Sequence, residues 1–347
     1  MNPDWQNFLE QQGAHIEHSR VIHFDDPDKE CAATGARHII ADLSQYGLIR
    51  ASGEEARDFL QNQFSNDVNL IEAGQSQLSA YCNPKGRILA AFRLFIRSES
   101  FYLRLPVDIL EPVLKRLRMF ILRSKVTLDD ASDELARFGF AGADAPQRLA
   151  EILSSVPFDP DQVTQEDGIT TLRLPGPIPR YEFHGDTDAI AALWRRLARQ
   201  AQPVGTEGWR WLNIQAGIPE ISTETIEAFV PQMVNLSALN GVSFKKGCYP
   251  GQEVVARMHY LGKLKRRMYL AHVAHDNPPA PGDNLFSATS DAQSVGKVVE
   301  AAVSPKGGYD LLAVIQIASI EETIHLGSAD GPQLEIGELP YTVTNEA

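Results

Sequence analysis

The stretch FKKGCYPGQEVVAR, residues 244–257, sets one cysteine among two lysines and two glycines and then runs on with helical character. Pro250 suits the neighbourhood of the first turn of a helix through GQEVVARMH, residues 251–259. Cys248 is therefore expected close to that helix's N-terminus, where the helix partial charge, Lys245 and Lys246 would favour a thiolate. Gly247 and Gly251 let backbone or ligand approach closely. Two readings stand side by side. Most free cysteines are small buried packing residues; this context points instead to a redox or nucleophilic thiol, with no base nearby in sequence.

Composition limits what surrounds that loop. The 347 residues exceed what one compact core usually holds, so two or three subdomains are expected. Lys and Arg number 32 against 45 Asp and Glu, a net charge of −13, which excludes tight nucleic-acid binding over a broad face while leaving room for a local basic patch. Cys31, Cys82 and Cys248 lie far apart with no C-x-x-C, as in a chain kept reduced. The first thirty residues are polar and acidic, without an apolar targeting core, and no apolar run is long enough to span a membrane. The expectation is a cytoplasmic protein with no membrane partner.

Periodicity gives an α+β chain. Residues 1–36 read as a loose leader. HIIADLSQYGLIRAS (38–52) reads as two strands about a turn at Ser44–Gln45, and SGEEARDFLQNQF (52–64) as an amphipathic helix with Ser52 and Glu55 as a capping box. SAYCNPKGRILAAFRLFIRSESFYLRLP (79–106) reads as three strands, with turns at Asn83–Gly86 and Ser98–Ser100. Helices follow over 107–120, 145–153, 187–200 and 205–216, alternating with short strand groups in the manner of split βαβ units. Past Arg267, six strand-like runs broken by Pro and Gly read as a small β-barrel or sandwich.

Other candidates are weaker. GKLKRR (262–267) is either a solvated basic face or an anion site. Trp209 and Trp211, one residue apart on a helix, point to different faces, so one belongs to the core and the other is available to stack on a flat ligand. The nine histidines form no H-x-x-x-H or H-E-x-x-H pattern, so no metal site is expected.

The motif FKKGCYPGQEVVAR closely resembles the signature of the YgfZ family, folate-binding relatives of the glycine-cleavage T protein, an aminomethyltransferase. FLQNQFSNDV (59–68), YCNPKGRILAAFRLF (81–95), LNIQAGIPEI (212–221) and AFVPQMVNL (228–236) reinforce the match in the family's order, from about residue 37 to the end. The resemblance implies a three-part fold: two interleaved ferredoxin-like α+β portions over 37–264, binding folate, and a C-terminal β-barrel over 265–347. It implies tetrahydrofolate or a derivative as cofactor, with Tyr46, Trp209, Gln215, Lys246, Gly247, Tyr249, Gln252, Glu253 and Arg257 as binding residues and Cys248 as the functional thiol. It implies a role in assembly, repair or activity of iron–sulfur enzymes, including those that thiolate tRNA, with such enzymes as transient partners.

Two departures from the aminomethyltransferases matter. Ala90 and Ala91 stand where those enzymes carry a pair of aspartates, and alanine can neither orient nor deprotonate an amine. Gln215 stands where they carry glutamate, and an amide offers the pterin edge one acceptor and one donor in place of a carboxylate. The alanine pair favours an accessory protein over the alternative, a folate-dependent one-carbon transferase on another acceptor.

Overall fold

The computed structural model describes residues 1–287 and 293–343. Ala288 of the run NLFSA and residues 344–347 of the expected barrel lie outside them. The chain divides into two compact units, each assembled from three stretches: 1–56, 70–77 and 93–212 in the first, and 57–69, 78–92 and 213–347 in the second. Each unit is therefore discontinuous in sequence.

The first unit is built on a six-stranded sheet. Its strand order is Val163–Glu166, Ile169–Leu174, Arg180–Gly185, Ala136–Ala141, Ile39–Asp42, Gln202–Val204. All pairs are antiparallel except the last, where Gln202–Val204 runs parallel to Ile39–Asp42. Both faces are buried, so alternate residues go to two separate cores. Ile40, Phe138, Phe140, Tyr181 and Phe183 meet the helix Thr187–Leu197 on one face. Ile39, Ala41, Ala141, Leu172 and Leu174 meet Tyr46, Leu48, Phe95 and Trp209 on the other.

Residues 1–36 are not a loose leader. They form a helix at Pro3–Gln11, a hairpin of His15–Glu17 with Arg20–His23, and a helix at Pro27–Thr34. Asn2 accepts hydrogen bonds from the amides of Asp4 and Trp5, and Pro3 opens the helix. The helix buries Trp5, Phe8 and Leu9, with Trp5 edge-on to Trp194 at 5.8 Å. Its indole donates to Asp42 at 2.7 Å. Burying two large aromatics against the core holds this segment down, at about 1.5–3 kcal/mol for each buried side chain.

The strands Tyr46–Ser52, Ser100–Pro106 and Thr127–Asp130 form part of a second sheet, and Ser76–Cys82 and Ile88–Arg97 complete its order at one edge. The helix after Ser52 begins only at Ala56. The expected capping box does not form, because the Glu55 carboxylate accepts instead from the Lys125 amide at 2.6 Å.

The second unit holds the barrel. Six strands run in the order Ile324–Leu326, Asn284–Ser287, Gly296–Val303, Tyr309–Gln316, Arg266–Val273, Leu334–Gly337. A bridge between His325 and Gln333 brings the two ends of the sheet together and nearly closes it. The core is aliphatic, with Val273, Leu285, Val298, Leu311, Ala313 and Ile315 among its fully or almost fully buried members. Among the described residues, no helix is long and apolar enough to cross a membrane.

Candidate functional site

The cysteine loop is seated against the turn Asn83–Gly86. Gly251 caps the helix Gln252–Tyr260 in the left-handed conformation, φ 83°. A Cβ there would lie 2.4 Å from the Asn83 carbonyl oxygen and 2.7 Å from Gly86 Cα, so only glycine fits. Pro250 therefore precedes the N-cap rather than lying in the first turn. Asn83 fixes the facing turn, accepting from the amides of Lys85 and Arg87 and donating to Glu227 at 2.9 Å. Cys248 is exposed, and nothing lies within 4 Å of a Cβ built on Gly247. The thiol thus sits in open surroundings three residues before the cap.

Lys246 does not stand beside the thiol as a second surface cation. Its side chain turns inward, and its ammonium donates to the carbonyls of Gln61, Phe64 and Asn66 at 2.6, 2.5 and 3.0 Å. These are carbonyls at and beyond the end of the helix Ala56–Gln61, which lack helical partners. Burial pushes the ammonium down to about 8, with Asp67 acting the other way. Tyr249 is buried under it, ring centroid 5.1 Å from the Lys246 nitrogen, and burial raises its phenol. Gln252 reaches back to the Lys246 carbonyl at 3.5 Å. Glu253 and Arg257 lie on the exposed face of the helix. Replacing Lys246 with methionine should orphan three carbonyls at once, at about 1–3 kcal/mol for each one that stays buried. The expected result is a melting temperature lower by several degrees in calorimetry, with Lys245→Met unchanged as the control.

Gln215 is placed on the barrel. Its amide donates to Asp310 Oδ2 at 3.0 Å, which also accepts from Ser304 at 3.1 Å, while His272 Nδ1 meets Asp310 Oδ1 at 2.7 Å. This explains why an amide stands here: a glutamate would face a carboxylate at hydrogen-bond distance. Gln215→Glu is expected to cost about 2 kcal/mol at neutral pH, from one lost hydrogen bond and one like-charge contact. Urea unfolding of the variant and wild type at neutral pH checks it.

Tyr46 and Trp209 lie in the first unit, and both are interior. The Trp209 ring covers Gly139, where a Cβ would come within 2.3 Å of it. The Arg104 guanidinium lies 3.9 Å above the Tyr46 ring, and that of Arg180 lies 5.9 Å from Trp209. The same core face carries Glu182, fully buried, paired with Arg104 Nε at 3.2 Å and His184 at 3.4 Å through Oε2. Burial acts to raise its carboxyl, but Arg104, His184 and Arg93 more than offset that and hold it at about 2. Among the described residues, Glu182 Oε1 and the Trp209 indole nitrogen have no hydrogen-bond partner. An orphaned buried carboxylate oxygen is rare and marks a place for a donor. Sequence reasoning missed Glu182, Arg104 and Arg180. The available signal was RYEFHG, a strand that alternates Arg180, Glu182 and His184 with the aromatic Tyr181 and Phe183.

Ala90 and Ala91 are both buried on the strand Ile88–Arg97, so no acid occupies either position.

The candidates therefore fall into three places: the cysteine loop, the Gln215–Asp310 network, and the buried core of Tyr46, Trp209 and Glu182. Residues 6–166 match the family model described as the GCVT N-terminal domain. The chain is 38% identical over 308 residues to the tRNA-modifying protein YgfZ of Colwellia psychrerythraea, covering 88% of this chain and 94% of that one. It is 31% identical over 306 residues to the protein of the same name from Yersinia enterocolitica, covering 88% and 92%. Among solved structures, the glycine cleavage system aminomethyltransferase T of Bartonella henselae superposes with a TM-score of 0.77 at 18% identity, over 98% of this chain and 97% of that one, which shows a shared fold. With the cysteine motif and two relatives matched over most of their length, the chain belongs to the YgfZ family.

Proposed function

We propose that this protein binds tetrahydrofolate or a derivative and acts in the cytoplasm as an accessory factor for iron–sulfur enzymes, including those that thiolate tRNA. The observation that carries the folate arm is the buried Glu182 carboxylate with one oxygen unpartnered. An amino-pyrimidinone edge presents two N–H donors side by side, and a carboxylate held ionised is the matching acceptor. Trp209 and Tyr46 supply flat faces, and the indole N–H supplies one more donor. Gln215, Lys246, Gly247, Tyr249, Gln252, Glu253 and Arg257 are proposed as folate-binding residues on the family pattern alone. Of these, Lys246 acts by holding the loop, since its ammonium is committed to carbonyls.

Bound tetrahydrofolate would supply a carrier for a one-carbon unit. The chain's own contribution is narrower. Buried Ala90 and Ala91 leave no acid there to move a proton, which favours an accessory role over aminomethyl transfer. Cys248 supplies an exposed thiol.

The test is titration with 5-formyltetrahydrofolate, read by tryptophan fluorescence and by thermal shift. Saturable quenching with a raised melting temperature is expected. Trp209→Phe should weaken binding several-fold while retaining the fold. Absence of both signals at millimolar ligand removes the folate arm. Release of methylene-tetrahydrofolate from aminomethylated carrier protein above background would instead establish the transferase alternative.

A further inference from the structure

The helix Gln252–Tyr260 has one face that the chain leaves uncovered. Val254, Arg257 and Leu261 fall at i, i+3 and i+7, and Tyr260 lies beside them. Val254 is 38% exposed, Tyr260 61% and Leu261 85%. Apolar side chains scattered singly need no explanation, but Val254, Tyr260 about a third of a turn away, and the C-cap residue Leu261 form a patch at this helix. The patch is also stiffened. Phe244 and His259 stack with ring centroids 3.7 Å apart and planes 9° from parallel, and Tyr260 packs edge-on against both. A ring held in place by two others loses little freedom on binding, as suits an anchor.

Charge identifies what the patch fits. Between Lys245 and Arg267 the sequence carries seven Lys and Arg against one acid, Glu253, in a chain of net charge −13. Lys246 is spent internally, while Lys245, Arg257, Lys263 and Lys265, from the same stretch of chain as the apolar residues, are exposed. An apolar centre with a charged rim is the anatomy of a protein–protein interface, with aromatic anchors in the middle. Single-stranded nucleic acid is the competing class for basic surfaces. It needs a succession of stacking faces, whereas Val254 and Leu261 offer a base or a phosphate nothing, and Glu253 on the same face repels phosphate.

We propose that the exposed face of this helix, with the basic segment that follows it, docks an acidic protein surface having an apolar centre. Apolar contact with Tyr260 and Leu261 supplies most of the affinity. The rim of Lys245, Arg257, Lys263 and Lys265 speeds association and makes it salt-dependent.

The experiment places a benzophenone amino acid at position 261 of the full-length protein in cells, with the same group at Leu122, 89% exposed in the first unit, as control. The expected result is a ribonuclease-resistant adduct specific to position 261, with one or a few acidic proteins identified by mass spectrometry. Each is then purified and titrated against the unlabelled chain. Affinity should fall at least tenfold with Lys263→Glu/Lys265→Glu and with Leu261→Asp, and should weaken as salt rises. Both variants should keep the wild-type melting temperature, since the side chains are exposed. A ribonuclease-sensitive adduct makes the occupant RNA and overturns the proposal. An adduct at twice the chain's mass makes it a second copy and does the same. Labelling no greater than at Leu122, or a purified partner indifferent to both variants, leaves the face without a docking role.

Discussion

Glu182→Gln should lower the melting temperature by about 10 °C, the largest stability effect expected of any conservative change in this chain. Glu182 is a buried anion among buried arginines: Arg104 meets its Oε2, as does the His184 ring, whose own protonation burial disfavours, and Arg93 and Arg180 lie close enough to affect it or be affected by it. Removing one partner of a buried pair typically costs about 3–5 kcal/mol, because the other charge stays desolvated without compensation. For a unit of this size each kcal/mol moves the midpoint by about 2–4 °C. Replacing both partners should recover much of the loss, so Glu182→Leu combined with Arg104→Met should melt well above either single variant. The pH dependence has a fixed sign. The folded-state carboxyl sits at about 2 against an ordinary 4.5, so the unfolded chain binds the proton first as pH falls. The pair's stabilisation is therefore complete above about pH 4.5 and is lost between there and about pH 2. Wild type should lose stability steeply across that window, and Glu182→Gln should lose less. A variant melting within two degrees of wild type, with an unchanged acid limb, would mean that the pair does not hold the unit together.

The same residue shows where sequence reading stops. The strands about Ser44–Gln45, the three strands over 79–106 and all six runs of the barrel were legible, because alternation and turn residues are local signals. RYEFHG was also legible as a strand, but alternation alone makes Glu182 and His184 the solvent face. Their burial depends on Arg104 and on a second core, 78 residues earlier in the chain for the arginine. The short strands Val163–Glu166 and Gln202–Val204 carry little intrinsic signal and exist because partners already stand beside them. The N-terminal helix failed for a different reason. Asn2, Pro3 and the spacing of Trp5, Phe8 and Leu9 are a proper helix signature, but a polar, acidic composition outweighed it. At the cysteine motif, glycine and proline announced a constrained turn, and the structure has one. The direction of Lys246 was hidden, since its acceptors lie 180 to 185 residues away in sequence.

Cys248→Ser should leave the protein folded and abolish its function in cells. The thiol is exposed, and the adjoining glycine leaves open space beside it, so serine removes no buried volume and the melting temperature should stay within a few degrees. The loop that carries it is nonetheless held firmly. Gly251 fits against Asn83 and Gly86 where no other residue can, and Lys246 ties the segment to three carbonyls. A side chain that contributes little to stability, displayed on a backbone fixed at such cost, is placed for chemistry rather than packing. Cys82 is the internal contrast: it is buried, and burial pushes its thiol up to about 12, so almost none is thiolate at neutral pH. Iodoacetamide at neutral pH should therefore label Cys248 first and Cys82 only on unfolding. In a strain lacking its own YgfZ-family protein, the wild-type chain and Cys82→Ser should restore a thiolated tRNA or an iron–sulfur enzyme activity, and Cys248→Ser should restore neither. Because the variant is expected to fold, failure would be assigned to the missing sulfur only after its melting curve is shown to match wild type. Full complementation by Cys248→Ser would return this residue to the ordinary surface of the protein.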